Sequence, residues 1–285
     1  MTAPQTSTYT LDPALPVLLR PDGAVQVGWD PRRAVLVRPP RGLSTTALAT
    51  VLRAMQIPMT VAALRHKAAQ HGPVDTAELD ELLAALVAAG VAVRGAGTRR
   101  QCRTISLRVH GRGPLSDLLV ESLRCSSAVV RRSSHPHAAL SAAGTDLVVL
   151  ADYLVPDPRL VRELLVARVP HLPVRVRDGT GIVGPLVLPG VTSCLGCADL
   201  HRRDRDSAWP AVAAQLRHTV THADRATVLA TAALALSQID RVIAAVRGVA
   251  TGLAAPPTLG ATLELDLATG SMMTRRWGRH PLCDC

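Results

Sequence analysis

Phenylalanine is absent from the 285 residues, and the aromatic set is only Tyr9, Tyr153, Trp29, Trp209 and Trp277. A core must therefore be filled by Ala, Val and Leu. Lysine is nearly absent: Lys67 stands alone beside 31 arginines. A mutational bias toward GC-rich codons accounts for both features. The second still constrains chemistry, because beyond residue 67 no ammonium side chain can form a Schiff base or clamp a phosphate. No uninterrupted apolar run approaches the roughly 18 residues of a membrane helix. The first twenty residues lack a charged leader followed by an apolar stretch, so no secretory signal is expected and the cytoplasm is the expected location. With 48% hydrophobic and 19% charged residues, the composition excludes a disordered chain.

The net charge is +10. It is spread along the chain as short pairs, Arg131-Arg132, Arg202-Arg203 and Arg275-Arg276, with no basic run. Aromatics to stack bases are scarce, so a nucleic-acid-binding role, through a winged-helix-like N-terminal unit, is only an alternative reading.

Residues 1–14 read as a polar, frayed start. Leu15–Arg20 and Ala24–Trp29 flank the turn Pro21-Asp22-Gly23, and Ala34–Arg38 follows, as in a small antiparallel meander. Ser44 or Thr45, then Thr60, then Asp75 can each cap a helix, and Glu78 stands at the capping-box position of the third. The stripe Leu79, Leu82, Leu83, Leu86 and Val87 gives that helix an apolar face. Val91–Arg94 is a short strand, and Gly95-Ala96-Gly97-Thr98 a linker. This predicts a winged-helix-like α+β domain over 1–97. From 98 to 285 strands and helices alternate, which predicts a parallel, Rossmann-like sheet. A long Ala/Leu-rich helix, apolar on most faces and therefore expected to be buried, spans Asp224 to about Arg247. A hairpin follows across Ala268-Thr269-Gly270.

Cys194-Leu-Gly-Cys197 and Cys283-Asp-Cys285 carry the strongest chemical signal. Four thiolates suit a structural zinc ion, which would staple the end of the sequence to a loop 85 residues earlier. A redox CxxC, which sits at a helix N-terminus, and four unpaired thiols are the alternatives. Cys102 and Cys125 have no partner spacing and read as core or linker thiols. Gly111-Arg-Gly113-Pro-Leu-Ser116 follows a strand and opens a helix, the context of a phosphate loop. Ser116, however, replaces the third glycine, and Pro114 removes a backbone N–H. The second strand ends in Val130-Arg131-Arg132-Ser133, with no acidic ribose ligand. Asp152, at the end of the third strand, is the best-placed carboxylate for metal or proton work; a helix cap or loop residue is its ordinary reading. His171 reads as a loop histidine. Asp199 to Asp206 reads as a solvated stretch of mixed charge.

Taken together, residues 111–116, Leu150-Ala-Asp152, His171-Leu-Pro173, Ile182–Gly190, Cys194–Arg202 and His280-Pro-Leu-Cys283-Asp-Cys285 resemble ThiF-family proteins. More closely, they are similar to the actinobacterial leader-peptide-binding, cyclodehydratase-type branch. The resemblance implies an adenylating-enzyme fold with a zinc site at Cys194, Cys197, Cys283 and Cys285. It matches Gly111 and Gly113 to the phosphate loop and Asp152 to the residue that handles magnesium when ATP activates a C-terminal carboxylate. Ser116, the missing ribose ligand and the absence of a cationic clamp between Ser133 and Thr145 depart from the active pattern. The expectation is a catalytically degenerate protein that binds a peptide or small protein and presents it to a YcaO-type enzyme, with homodimerisation also implied. The peptide would add a strand to the Leu15–Arg38 meander and pack near Leu79–Val87. An active adenylyltransferase using ATP and Mg²⁺ is the alternative.

Overall fold

The computed structural model describes residues 7–95, 104–126, 128–134, 144–217, 219–248 and 255–285. Most of the expected linker, Cys102, and most of the segment searched for a clamp lie outside these residues. The chain divides into two compact units, one within residues 1–102 and 248–253, the other within 103–247 and 254–285.

Among its described residues, the first unit holds two small sheets and three helices. Strands β2 (Val17–Leu19), β3 (Val25–Val27) and β4 (Val35–Val37) form an antiparallel meander in that order. The start of the chain differs from the frayed segment read from its polarity. Thr8–Leu11 is a strand, β1, pairing with β5 (Met59–Thr60) on one side and β6 (Ala92–Gly95) on the other. Tyr9 and Leu11 point into the core, which offsets the cost of ordering this polar end.

Helices α1 (Thr45–Ala54), α2 (Val61–Ala69) and α3 (Thr76–Ala88) begin at Ser44, Thr60 and Asp75, whose side-chain oxygens accept first-turn N–H groups. Glu78 does not close a capping box: its carboxylate accepts the Arg41 N–H at 2.7 Å and pairs with the Arg41 guanidinium. Leu79, Leu83 and Leu86 of α3 are fully buried with Leu48, Leu52, Met55 and Leu64. Aliphatic side chains thus fill the space that aromatics would otherwise take.

The second unit is a seven-stranded mixed sheet in the order β13-β12-β11-β10-β9-β7-β8. Strands β7 (Ile105–His110), β8 (Ala128–Ser133), β9 (Leu147–Ala151) and β10 (His171–Arg177) are parallel. Beyond β10 the sheet turns antiparallel through β11 (Thr180–Val183), β12 (Ala261–Asp266) and β13 (Ser271–Arg276). Asp178 and Gly179, both at positive φ, make the β10–β11 turn.

One sheet face is covered by α4 (Pro114–Arg124) and α8 (Arg225–Val246). α8 comes so close to β11 that a Cβ on Gly181 would lie 2.0 Å from Thr231 Oγ1. By length and composition α8 could cross a membrane, but it packs on β10, β11 and α4 through Ala232, Ala235, Ile239 and Ile243. Only 39% of its most apolar window is buried, less than its composition suggested, and Leu229 on its outer side is exposed. The opposite sheet face carries α5 (Pro158–Val166) and the cysteine pairs.

His171 opens β10 with no exposed surface. Its Nδ1 lies 3.0 Å from the Val169 carbonyl, and its Nε2 is buried without a partner. Burial pushes the imidazole down to about 4, against the smaller opposing pull of the Val169 carbonyl. The folded chain therefore refuses a proton that the unfolded chain takes up below the ordinary value of 6.5. Stability is full above that pH and falls as pH drops toward 4, by up to about 3 kcal/mol. Urea melts of wild type and His171→Leu across this window check the effect. The variant should lose about one proton's worth of slope, and identical slopes would refute the assignment.

Candidate functional site

The strand-loop-helix junction at residues 110–117 is built around Asp152. β7 ends at His110, and α4 starts at Pro114 with Gly113 as its N-cap. The first N–H groups of a helix have no partner within the helix, and in nucleotide-binding folds they receive phosphate. Pro114 has none to offer. The Leu115 N–H donates to Asp152 Oδ1 at 2.9 Å, and the Ser116 N–H to Asp152 Oδ2 at 3.3 Å. The Gly113 N–H donates to Ser116 Oγ, whose hydroxyl donates back to the Gly113 carbonyl. Asp117 N–H donates to the same carbonyl, and Gly111 N–H to the Ser133 carbonyl. The first turn of α4 is thus satisfied from within the chain, with a carboxylate where a phosphate would sit.

The same approach explains both glycines. A Cβ on Gly113 would lie 2.8 Å from Asp152 Cγ, and one on Gly111 2.6 Å from the Ala151 carbonyl oxygen and 2.9 Å from Asp152 Oδ2. Asp152 adopts φ 73°, a left-handed conformation that costs a non-glycine residue energy, and is only 2% exposed. Burial pushes its carboxyl up, while hydrogen bonds from Ser116 and Leu115 work the other way. At the end of β8, Arg132 pairs with Asp117 at 2.6 Å. Above β7 and β9, His110, Ser134, Tyr153, Asp157 and Arg217 line a cavity of about 30 Å³, room for about two water molecules. His110 Nδ1 lies 3.1 Å from Ser133 Oγ, and burial, aided by Arg108, lowers its pKa.

The four cysteines predicted from spacing come together. Cys194 is the N-cap of α6 (Leu195–Arg205), which puts Cys197 in its first turn. The end of the chain brings Cys283 within 3.5 Å of Cys194 and Cys285 within 3.4 Å of Cys197, sulfur to sulfur, while Cys194 and Cys197 are 3.9 Å apart. All four sulfurs lie within 4.8 Å of one another. Ligands on a tetrahedron of 2.3 Å bonds are spaced about 3.8 Å apart, so the cluster could hold a metal such as zinc. The one-residue spacing of the second pair is accommodated because each of its sulfurs lies against a different member of the first.

Burial pushes the Cys194 thiol up. It acts the same way on Cys197, but backbone hydrogen bonds from His280 and Cys194 outweigh it and bring that thiol down to about 7. His280, held by Asp204 Oδ2 at 2.7 Å, anchors the approach to the tail. Asp199 to Asp206, read as a solvated stretch of mixed charge, make up the rest of α6 and its C-cap, and α7 (Trp209–Leu216) follows. Cys125 is exposed at the end of α4, so it is not a core thiol.

No protein-family model matches the chain, and no curated protein matches it. Solved structures do. A heterocyclase in complex with substrate and cofactor matches with a TM-score of 0.66 at 16% identity, over 97% of this chain and 39% of that one. The heterocyclase TruD matches at 0.65 and 17%, over 98% and 42%. MccB of E. coli, in complex with ATP, matches at 0.59 and 12%, over 97% and 99%. The chain has their ThiF-like fold. It spans about two fifths of the heterocyclase chains and nearly all of MccB. At these identities the likeness is one of fold. The ThiF-like sheet places Asp152 and the α4 N-terminus at the ends of the parallel strands, where open α/β sheets take ligands.

Proposed function

We propose that this chain is a zinc-stapled ThiF-like protein, without adenylating activity of its own, that binds a peptide and presents it to a peptide-modifying enzyme of the YcaO type. The observation that carries this reading is the Asp152 carboxylate on the N–H groups of Leu115 and Ser116. Phosphoryl-type chemistry depends on preorganised donors and positive charge around the phosphates. Here the donors of the first turn are engaged, and no lysine exists beyond residue 67. Zinc is the metal that four thiolates at these spacings suit best, in a closed structural role.

The winged-helix-like first unit is the peptide-binding part. In the meander, β2 is covered by α1, whose Arg53 donates to the Val17 carbonyl at 2.9 Å. Among the described residues, β4 has no strand on its other side. An extended peptide adds there, with main-chain hydrogen bonds for affinity. Leu36, on β4, and Leu18, in the same cross-strand row through Gln26, are exposed to meet its side chains. The α3 stripe does not serve: Leu79, Leu83 and Leu86 are spent inside the unit.

Pyrophosphate exchange with ATP, Mg²⁺ and candidate peptides tests the reading. The expected result is no exchange above the protein-free rate. Robust exchange would replace it with an active adenylyltransferase.

A further inference from the structure

The sheet face opposite α8 carries a cluster of charges that neither the cysteine site nor the Asp152 junction uses. Arg175 on β10, Ile182 on β11 and Glu264 on β12 lie in one cross-strand row, so their side chains share a face. Arg177, Thr262, Arg275 and Trp277 fall on the same face by alternation, and contacts agree. Arg177 and Arg275 reach the two oxygens of Glu264 at 3.2 and 3.1 Å, and Trp277 Nε1 donates to Thr262 Oγ1 at 2.8 Å. From α6, Arg202 lies over Trp277 and Trp209, 4.9 and 5.1 Å from the ring centres, and pairs with Asp199 at 2.7 Å. Trp209 Nε1 also donates to Asp199.

In this set Arg202 has Asp199, and Arg177 and Arg275 share Glu264. Arg175 has nobody. It is 8% exposed, its backbone is paired within the sheet, and no side-chain hydrogen bond or ion pair joins it to a described residue, Asp199 and Glu264 acting on it only from a distance. Burial lowers its pKa to about 10, and the strongest charge acting on it is the like charge of Arg202. It therefore remains a cation at neutral pH. Its nitrogens are not fully enclosed, but a largely buried cation with no ion pair of its own, beside other cations, is disfavoured, and four guanidinium groups here face two carboxylates. The side chains of Arg177, Arg275 and Asp199 are between 43% and 46% exposed, so the set opens to solvent around a buried floor.

We propose that Arg175 is the floor of an oxyanion-binding site, which takes a carboxylate or phosphate group on its guanidinium fork, with Arg202 and Arg177 flanking it. The planar fork suits two parallel N–H···O bonds to either group. Occupation brings the cluster toward neutrality and gives the buried cation its missing partner. This site stands whether or not the chain binds a peptide.

Thermal melts and calorimetry on the full chain test it. The probes are inorganic phosphate and N-acetyl-glutamate amide, compared with chloride at equal ionic strength. Wild type should show one saturable site per chain and a Tm raised by about 5 °C at a hundredfold excess over Kd. The anion giving the larger shift identifies the source of the oxyanion. R175M should abolish the shift, and without ligand it should melt no lower than wild type, because it removes an uncompensated charge. R175K, which keeps the charge but loses the fork, should weaken binding about tenfold. If R175M does not fold, the wild-type titration and R175K still decide. No saturable binding of either anion, an equal shift in R175M or R175K, or an R175M melt well below wild type would each overturn the site.

Discussion

Replacing Cys194 and Cys197 together with serine is expected to release about one zinc ion per chain and to lower Tm by about 10–20 °C, a loss of roughly 5 kcal/mol or more. The expectation follows from where the sulfurs sit. Cys194 and Cys197 belong to the core cluster that joins β9 to α5, and Cys283 and Cys285 pack on it from the end of the chain. Without a metal, four thiol groups are crowded within 4.8 Å, and burial pushes Cys194 toward the protonated form. A divalent ion stabilises the thiolates and ties the tail to α6. Its binding free energy is then folding free energy, limited only by what it costs to let the tail detach. Elemental analysis of freshly purified protein and thermal melts of wild type and variant check both halves. Metal-free wild type of full stability would contradict the assignment. So would a CxxC that cycles as a dithiol: the closest sulfur pairs here join α6 to the tail, whereas the two CxxC sulfurs are 3.9 Å apart.

Asp152→Ala should cost about 2–5 kcal/mol. Two N–H groups at the start of α4 lose their acceptor in a buried place, each at about 1–3 kcal/mol. The strained φ of Asp152 remains with nothing to justify it. Asp152→Asn should fall between, since one amide oxygen can still accept while the amide nitrogen faces a donor. Millimolar inorganic phosphate should stabilise Asp152→Ala more than it stabilises wild type, because only in the variant can the anion replace a missing carboxylate at the helix start. Urea melts with and without phosphate read all of these. A carboxylate kept for magnesium rather than for the helix would leave stability unchanged in Asp152→Ala.

Local chemistry was legible in the sequence wherever the controlling partner lies within a few residues. The caps Ser44, Thr60 and Asp75 all accept first-turn N–H groups. The two cysteine pairs showed their chemistry by spacing alone. What could not be read depends on partners far along the chain. β1 has only four residues, and its partner β6 lies about eighty positions on, so the segment reads from its own composition as a polar, frayed start. Glu78 was drawn to Arg41 rather than to its own helix start. The glycines at 111 and 113 do belong to a phosphate-loop geometry, but their tight neighbour is Asp152, nearly forty residues later. Arg175 becomes unusual only when the register of three strands puts it in a row with Glu264. One nearby signal does announce the antiparallel half of the sheet: Asp178-Gly179 is a two-residue hairpin turn.

Calorimetric titration of the zinc-loaded chain with ATP and Mg²⁺, in inorganic phosphate sufficient to fill the site proposed at Arg175, bears most directly on the nucleotide scaffold. The start of α4 is already occupied by Asp152, so no saturable heat is expected up to millimolar nucleotide. A micromolar dissociation constant with one ATP per chain would contradict it.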